Sequence, residues 1–493
     1  MLSIWIVAEP LAPETKRVAI VVVVGAIMSI LDTTIVNVAL ESLSRDLHAP
    51  LSTVQWVATG YLLALATVIP LTGWAAEQFG PRRVWMTVVT GFVVTSGLCG
   101  LAWSAESLIA FRVLQGLAGG MIMPIGMITL AQSAGPARMG QVMGVIGVPM
   151  LLGPVLGPVL GGLLVDQLSW RWIFYVNLPI GIVGLALAAK LLPSARAVGR
   201  GGDTPSRLDW KGLSMLSPGV ALVVFGLSEV SSHGTVTPWR LAPVVVGALL
   251  VAAFARHAWR AESPLVDVRL LRGRGFAAAS GTVFLVGGAL FGALLLLPLY
   301  FQIARGQSAF ESGLLMIPQG LGAALGMNRA GKLTDRVGGG RIVLAGLAML
   351  MVGTLPFTQV TATTPYWLLE LGLVLRGAGL GFTMMPAMAA AYATLERSQV
   401  PRATPMLNVI QRVGGSLGTA VLAVVLENQL GAGIAQARQG GAGGGDLAAA
   451  FAHTYWWAFG ATGIALVPAF LLARSQRDAA SAAPKDAHPA PVG

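Results

Sequence analysis

Leu31-Asp32-Thr33-Thr34-Ile35-Val36-Asn37-Val38-Ala39-Leu40 decides the fold of this chain, because it sets one carboxylate, Asp32, inside an apolar run from about Val18 to Leu40. A run of that length crosses a bilayer at roughly 20 residues per span. At about 100° per residue, Ser29, Thr33 and Asn37 share a helical side with Asp32, while Val24, Ile27, Leu31, Ile35 and Val38 take the other. An ionisable side chain at membrane depth costs about 2.5–3.5 kcal/mol on insertion scales, so Asp32 is expected to face a bundle interior or aqueous cavity and to work there. A protonated or locally paired structural Asp is the plainer alternative.

The rest of the composition agrees with a membrane setting. Of 493 residues, 55% are hydrophobic and 11% charged, where a soluble protein carries about 25% charged residues. The chain therefore reads as an all-α integral membrane protein. Its net charge of +11 does not point to nucleic acid, because most Lys and Arg fall on one alternate set of loops. That asymmetry places both termini in the cytoplasm of a multi-pass protein of the cell membrane. No cleavable signal is expected at the N-terminus. The single Cys99 excludes an intrachain disulfide, the five His lack metal-ligand spacing, and no phosphate-binding GxxxxGK[ST] occurs. No cofactor is expected.

Fourteen apolar runs can be read as spans, from about 18–40 to about 451–473; the fifth, tenth and twelfth are interrupted by Gly and Pro. A basic, Gly-rich linker at 193–210 and a second basic connection at 256–274 bracket spans seven and eight as an inserted pair. The expected division is a six-helix bundle over 1–195, a linker with two extra central helices over 196–270, a second six-helix bundle over 271–474 and a disordered tail over 475–493. The segment 431–450 reads as a low-complexity external loop.

An internal repeat supports two halves. Gly73, Glu77, Gly80, Arg82 and Arg83 close span two, as Gly331, Asp335, Arg336, Gly338 and Arg341 close span ten; Arg112 and Gly116 in span four have counterparts in Arg376 and Gly377 in span twelve. Parallel repeats with a midplane site between them are a transporter plan. In span five, Gly153, Gly157 and Gly161 share a helical face and allow close helix contact, while Pro149, Pro154 and Pro158 remove backbone donors and shape the helix for movement. Arg112, which cannot shed its proton, needs a carboxylate, carbonyl or water at membrane depth. It is a candidate partner of Asp32 or else a helix tie. Trp56, Tyr61, Gln115, Gln302, Asn408 and Gln411, with Asn37, are candidates for the cavity lining, although hydrogen bonds between packed helices explain each about as well. Met121, Met123, Met127 and Met150 suit an adaptable apolar surface, and Trp170 and Trp172 read as interfacial anchors.

LDTTIVNVAL, the loop after span two, the Arg-Gly run of span four, GPVLGPVLGG (Gly153–Gly162) and WRWIFYVNLPIG (Trp170–Gly181) together resemble the major facilitator superfamily, and within it the fourteen-span drug/proton antiporter branch of the EmrB/QacA type. The resemblance covers about residues 18–473. It departs from the family in the first loop, where Glu77 and Gln78 stand for the usual acidic and basic residues. It implies the major facilitator fold, Asp32 and Arg112 as the proton-coupling pair, the two loops as conformational latches, and no cofactor beyond the proton gradient. The expected partners are a small-molecule substrate, protons and the bilayer, with a monomer as the simplest unit. The expected activity is proton-coupled export of lipophilic or cationic small molecules, such as drugs or antibiotics. Export of a lipid or endogenous metabolite is the rival within transport. A membrane-embedded transferase would need an acid/base cluster at one interface, and the sequence shows none.

Overall fold

The computed structural model describes residues 11–135, 138–193, 207–438 and 445–482, and the regular structure among them is helical throughout. Helices satisfy every backbone donor and acceptor within the segment, which is the requirement a bilayer imposes. The long helices are α1 Pro13–Asp46, α2 Leu51–Phe79, α3 Pro81–Gly100, α4 Ala105–Ala134, α5 Met139–Gln167, α6 Trp172–Leu191, α7 Trp210–His233, α8 Pro238–Arg260, α9 Arg274–Ala304, α10 Ile317–Val337, α11 Gly339–Thr358, α12 Tyr366–Ala393, α13 Val400–Arg438 and α14 Gly445–Ala482. Twelve helices among the described residues are long and apolar enough to cross a membrane; α10 stands outside that set. In α10 the closing turns carry Arg329, Lys332, Asp335 and Arg336 and shorten its apolar stretch.

Helices α1 to α6 pack into one bundle, in which α1 lies on α4, α5 and α6, and α4 on α2 and α3. The second bundle, α9 to α14, pairs α9 with α12, α13 and α14, and joins α10, α11 and α12. The two meet where α5 crosses α10 and α12, and where α2 meets α13. The inserted helices are central in the chain but peripheral in space. Helix α7 lies against α13 and α2, and the apolar window of α8 is only 17% buried, as suits a lipid-facing helix.

Three sequence expectations shift. The low-complexity loop expected over 431–450 narrows, because α13 continues to Arg438 and α14 begins at Gly445. The tail expected from 475 is helical as far as Ala482. Trp170 is core rather than an interfacial anchor, with its ring edge-on to Phe174 and 1% exposed, whereas Trp172 is exposed. Most of the linker (194–206) and the end of the tail (483–493) lie outside the described residues.

The repeat is visible in its turns. Gly80 (φ 82°) and Gly338 (φ 93°) each reverse the chain between two helices in a region that side chains resist. Nearby, each bundle presses on the other. Gly73 of α2 leaves no room for a Cβ against the Pro401 carbonyl of α13. Gly140 of α5 and Gly331 of α10 face one another so closely that a Cβ on either would come within 2.5–2.6 Å of the other's carbonyl oxygen. The two bundles are thus sealed together at the end that carries these turns.

Candidate functional site

Asp32 sits midway along α1 with no exposed surface, and three donors converge on its carboxylate. Arg112 Nη1 of α4 reaches Oδ2 at 2.8 Å. Gln115 Nε2, one turn further along α4, donates to Oδ1 at 3.0 Å, and Asn177 Nδ2 from the start of α6 donates to the same oxygen at 2.9 Å. This spacing follows from the helix period, since residues three apart on α4 share a face.

The donors are themselves held. Arg112 Nε donates to the Val57 carbonyl at 3.1 Å, its Nη1 also donates to Gln115 Oε1 at 2.8 Å, and its guanidinium lies over the Tyr61 ring at 3.9 Å. Asn177 also donates to Ser96 Oγ at 3.1 Å, and Ser96 donates to the Phe174 carbonyl at 2.9 Å. Five helices of the first bundle, α1, α2, α3, α4 and α6, therefore converge on one carboxylate. A buried ion pair is tolerable only when its remaining hydrogen-bonding capacity is met in this way. Each of these hydrogen bonds to the carboxylate comes from an N–H donor, so the site as arranged suits the charged form.

The other expected cavity residues are spread out. Tyr61 and Gln115 belong to the buried network; Asn408 and Gln411 are partly exposed on α13; Asn37 and Gln302 are exposed. Trp56 stacks on Phe225 of α7 at 5.9 Å, which ties the inserted pair to the first bundle. Met121 and Met127 are core residues. In α5 the side chains of Met150, Gly153, Pro154 and Pro158 lie outside the described residues; Gly157 packs where a Cβ would collide with Thr34 Oγ1 of α1, and at Gly161 a Cβ would come within 2.8 Å of Ile35 Cγ1.

The two repeated loops hold the sealed end by different chemistry. The Asp335 carboxylate accepts from the backbone N–H groups of Gly140 and Gln141 at 2.8 and 3.0 Å, at the N-terminus of α5, where four such donors lack helical partners. Glu77 instead takes a forked pair from Arg402 of α13, at 2.9 and 3.1 Å. Arg82 donates to the Ala189 carbonyl at 2.7 Å, while Arg83 and Arg336 are exposed. Each loop therefore grips the opposite bundle.

The Major Facilitator Superfamily profile matches residues 22–419. The chain belongs to the Major Facilitator Superfamily. This superfamily member is a multi-pass membrane transporter, with the superfamily's all-helical fold. It is 43% identical over 417 residues to the multidrug resistance protein B homolog of Mycobacterium tuberculosis, covering 84% of this chain and 76% of that one. It is 30% identical over 414 residues to the tetracenomycin C resistance and export protein of Streptomyces glaucescens, covering 83% and 76%. Among solved structures it resembles the human organic anion transporter MFSD10, with a TM-score of 0.63 at 20% identity over 94% of this chain and all of that one, a likeness of fold alone.

Sequence reading named Asp32, Arg112, Gln115 and Tyr61 but gave no role to Asn177, Ser96 or Arg402. Asn177 was legible as a polar residue within the apolar start of α6. Nothing in the sequence links Arg402 to Glu77, which lies 325 positions away.

Proposed function

We propose that this transporter is a proton-coupled antiporter of the fourteen-span EmrB/QacA type that exports lipophilic small molecules, drugs or antibiotics among them, across the cell membrane by alternating access. Both termini are cytoplasmic in this reading, and α5 and α10 cross the membrane with the other twelve helices. The sealed end, with its Glu77 and Asp335 latches, is the cytoplasmic one, so the conformation described faces outward. Relatives named for multidrug resistance and for tetracenomycin C export support efflux. The observation that carries proton coupling is Asp32, wholly buried and bound to Arg112, Gln115 and Asn177.

Protonating Asp32 releases Arg112 from Oδ2. The freed guanidinium pulls on Val57 and Tyr61 of α2, the helix that also carries the Glu77 latch. Proton occupancy and the sealing of the cytoplasmic end are thereby linked through one helix. Asp32→Asn keeps the side chain's size and removes its titration. In inverted vesicles with an imposed pH gradient, the variant is expected to lose gradient-driven substrate uptake while retaining substrate binding, and Asp32→Glu is expected to retain part of the uptake. Uphill transport by Asp32→Asn at the parent rate would remove Asp32 from the proton path.

A further inference from the structure

The interior charges of this chain do not balance. Among the described residues the fully buried charged side chains are Asp32, Arg112 and Arg376, and the one acid is already bound to Arg112. Arg412 on α13 adds another cation. It is partly buried, and it makes no hydrogen bond or ion pair with any described residue.

The helix period fixes where Arg412 lies. Pro401, Pro405, Asn408 and Arg412 fall on one stripe of α13 at about 100° per residue. Pro401 and Pro405 press against Gly73 of α2, so this stripe faces the other bundle. Arg412 lies about 10 Å beyond Pro405 along the helix, at 1.5 Å per residue. Among the described residues the opposite face of this seam offers no free carboxylate. Asp32 is sealed behind its donors, Glu77 is held by Arg402, and Glu229 lies beside His233 near the far end of α7.

A guanidinium keeps its proton in proteins, and a partly desolvated one without an acceptor is costly. We propose that the cargo bound in this seam is a lipophilic anion, an aromatic or polycyclic carboxylate, sulfonate or acidic phenol, whose charged oxygens pair with Arg412 while its apolar body lies between α2 and α13. A lipophilic cation would meet an uncompensated positive charge there. This narrows the efflux reading and rests on it for direction, though not for binding. Exchange of one entering proton for one leaving anion moves two elementary charges in the same electrical sense, so an inside-negative potential drives export, each charge contributing about 2.3 kcal/mol per 100 mV. One-for-one exchange of a proton for a cation would be electrically silent.

A pyrene sulfonate and the matching pyrene trimethylammonium share one apolar body and carry permanent opposite charges. Binding of each is measured by fluorescence to the full chain in nanodiscs, against empty nanodiscs, for the parent, Arg412→Lys and Arg412→Gln. The parent is expected to bind the sulfonate about tenfold or more tightly than the ammonium. Arg412→Lys keeps that preference, and Arg412→Gln weakens the sulfonate by about tenfold or more, as for a charge-assisted hydrogen bond, and leaves the ammonium unchanged or tighter. Equal or tighter binding of the ammonium by the parent overturns the proposal, as does unchanged sulfonate binding by Arg412→Gln or failure of both probes to bind. If Arg412→Gln does not fold, the parent's preference and its retention in Arg412→Lys decide. Flux in proteoliposomes separates the two readings: Arg412-dependent sulfonate binding without gradient-driven flux sinks the antiport reading and leaves this one standing.

Discussion

Arg112 and Arg376 occupy corresponding places in the two repeats, yet their surroundings differ. The first is bound by Asp32, Gln115, the Val57 carbonyl and the Tyr61 ring. The second is equally buried, but its Nε and Nη1 have no hydrogen-bond partner among the described residues, and the Tyr455 ring stands 6.0 Å away. The repeat kept the cation in both halves and supplied an acid to one. The first bundle therefore holds a paired buried charge, and the second an unpaired buried cation.

Removing each cation tests that contrast most strongly. Arg112→Met leaves Asp32 buried without its partner and should cost about 3–5 kcal/mol, whereas Arg376→Met removes an unpaired buried charge and should be neutral or stabilising by about 1–4 kcal/mol. Thermal unfolding in detergent reads both, and equal losses would break the comparison. Asn177→Ala sharpens it, because a hydrogen bond to a charged group contributes about 1.5–3 kcal/mol; the same unfolding assay should show a loss within that range. The smallest effect lies at the sealed end. Glu77→Gln removes a partly exposed ion pair and should cost about 1 kcal/mol or less, with a shift toward the inward-facing state. That shift is read as decreased labelling of a cysteine placed at Asn37 by an external membrane-impermeant thiol reagent. Asp335→Asn should shift the same readout by more, because the helix N-terminus then loses a full charge.

Much of this was legible in the chain. An apolar run with one acid in it can be read from residue identity, because the bilayer penalises Asp32 wherever its helix lies. Glycines at the Gly80 and Gly338 turns mark the repeat for a similarly local reason, a backbone angle that side chains resist. The span count was the weaker reading, since α10 is polar in its closing turns. Trp56 shows the limit of assigning a cavity from polarity and aromaticity: its ring covers Phe225 of an inserted helix, a neighbour that local pattern does not specify.

The sequence by itself determined a helical membrane transporter with an acid and a basic residue at depth, because hydropathy and helix period act within a single span. Only the tertiary structure decided that Asn177 and Gln115 close the shell around Asp32, that Glu77 finds Arg402 rather than a helix end, and that Arg412 has no partner among the described residues. Those outcomes depend on which faces of distant helices are brought together. Packing sets that, and no spacing along the chain encodes it.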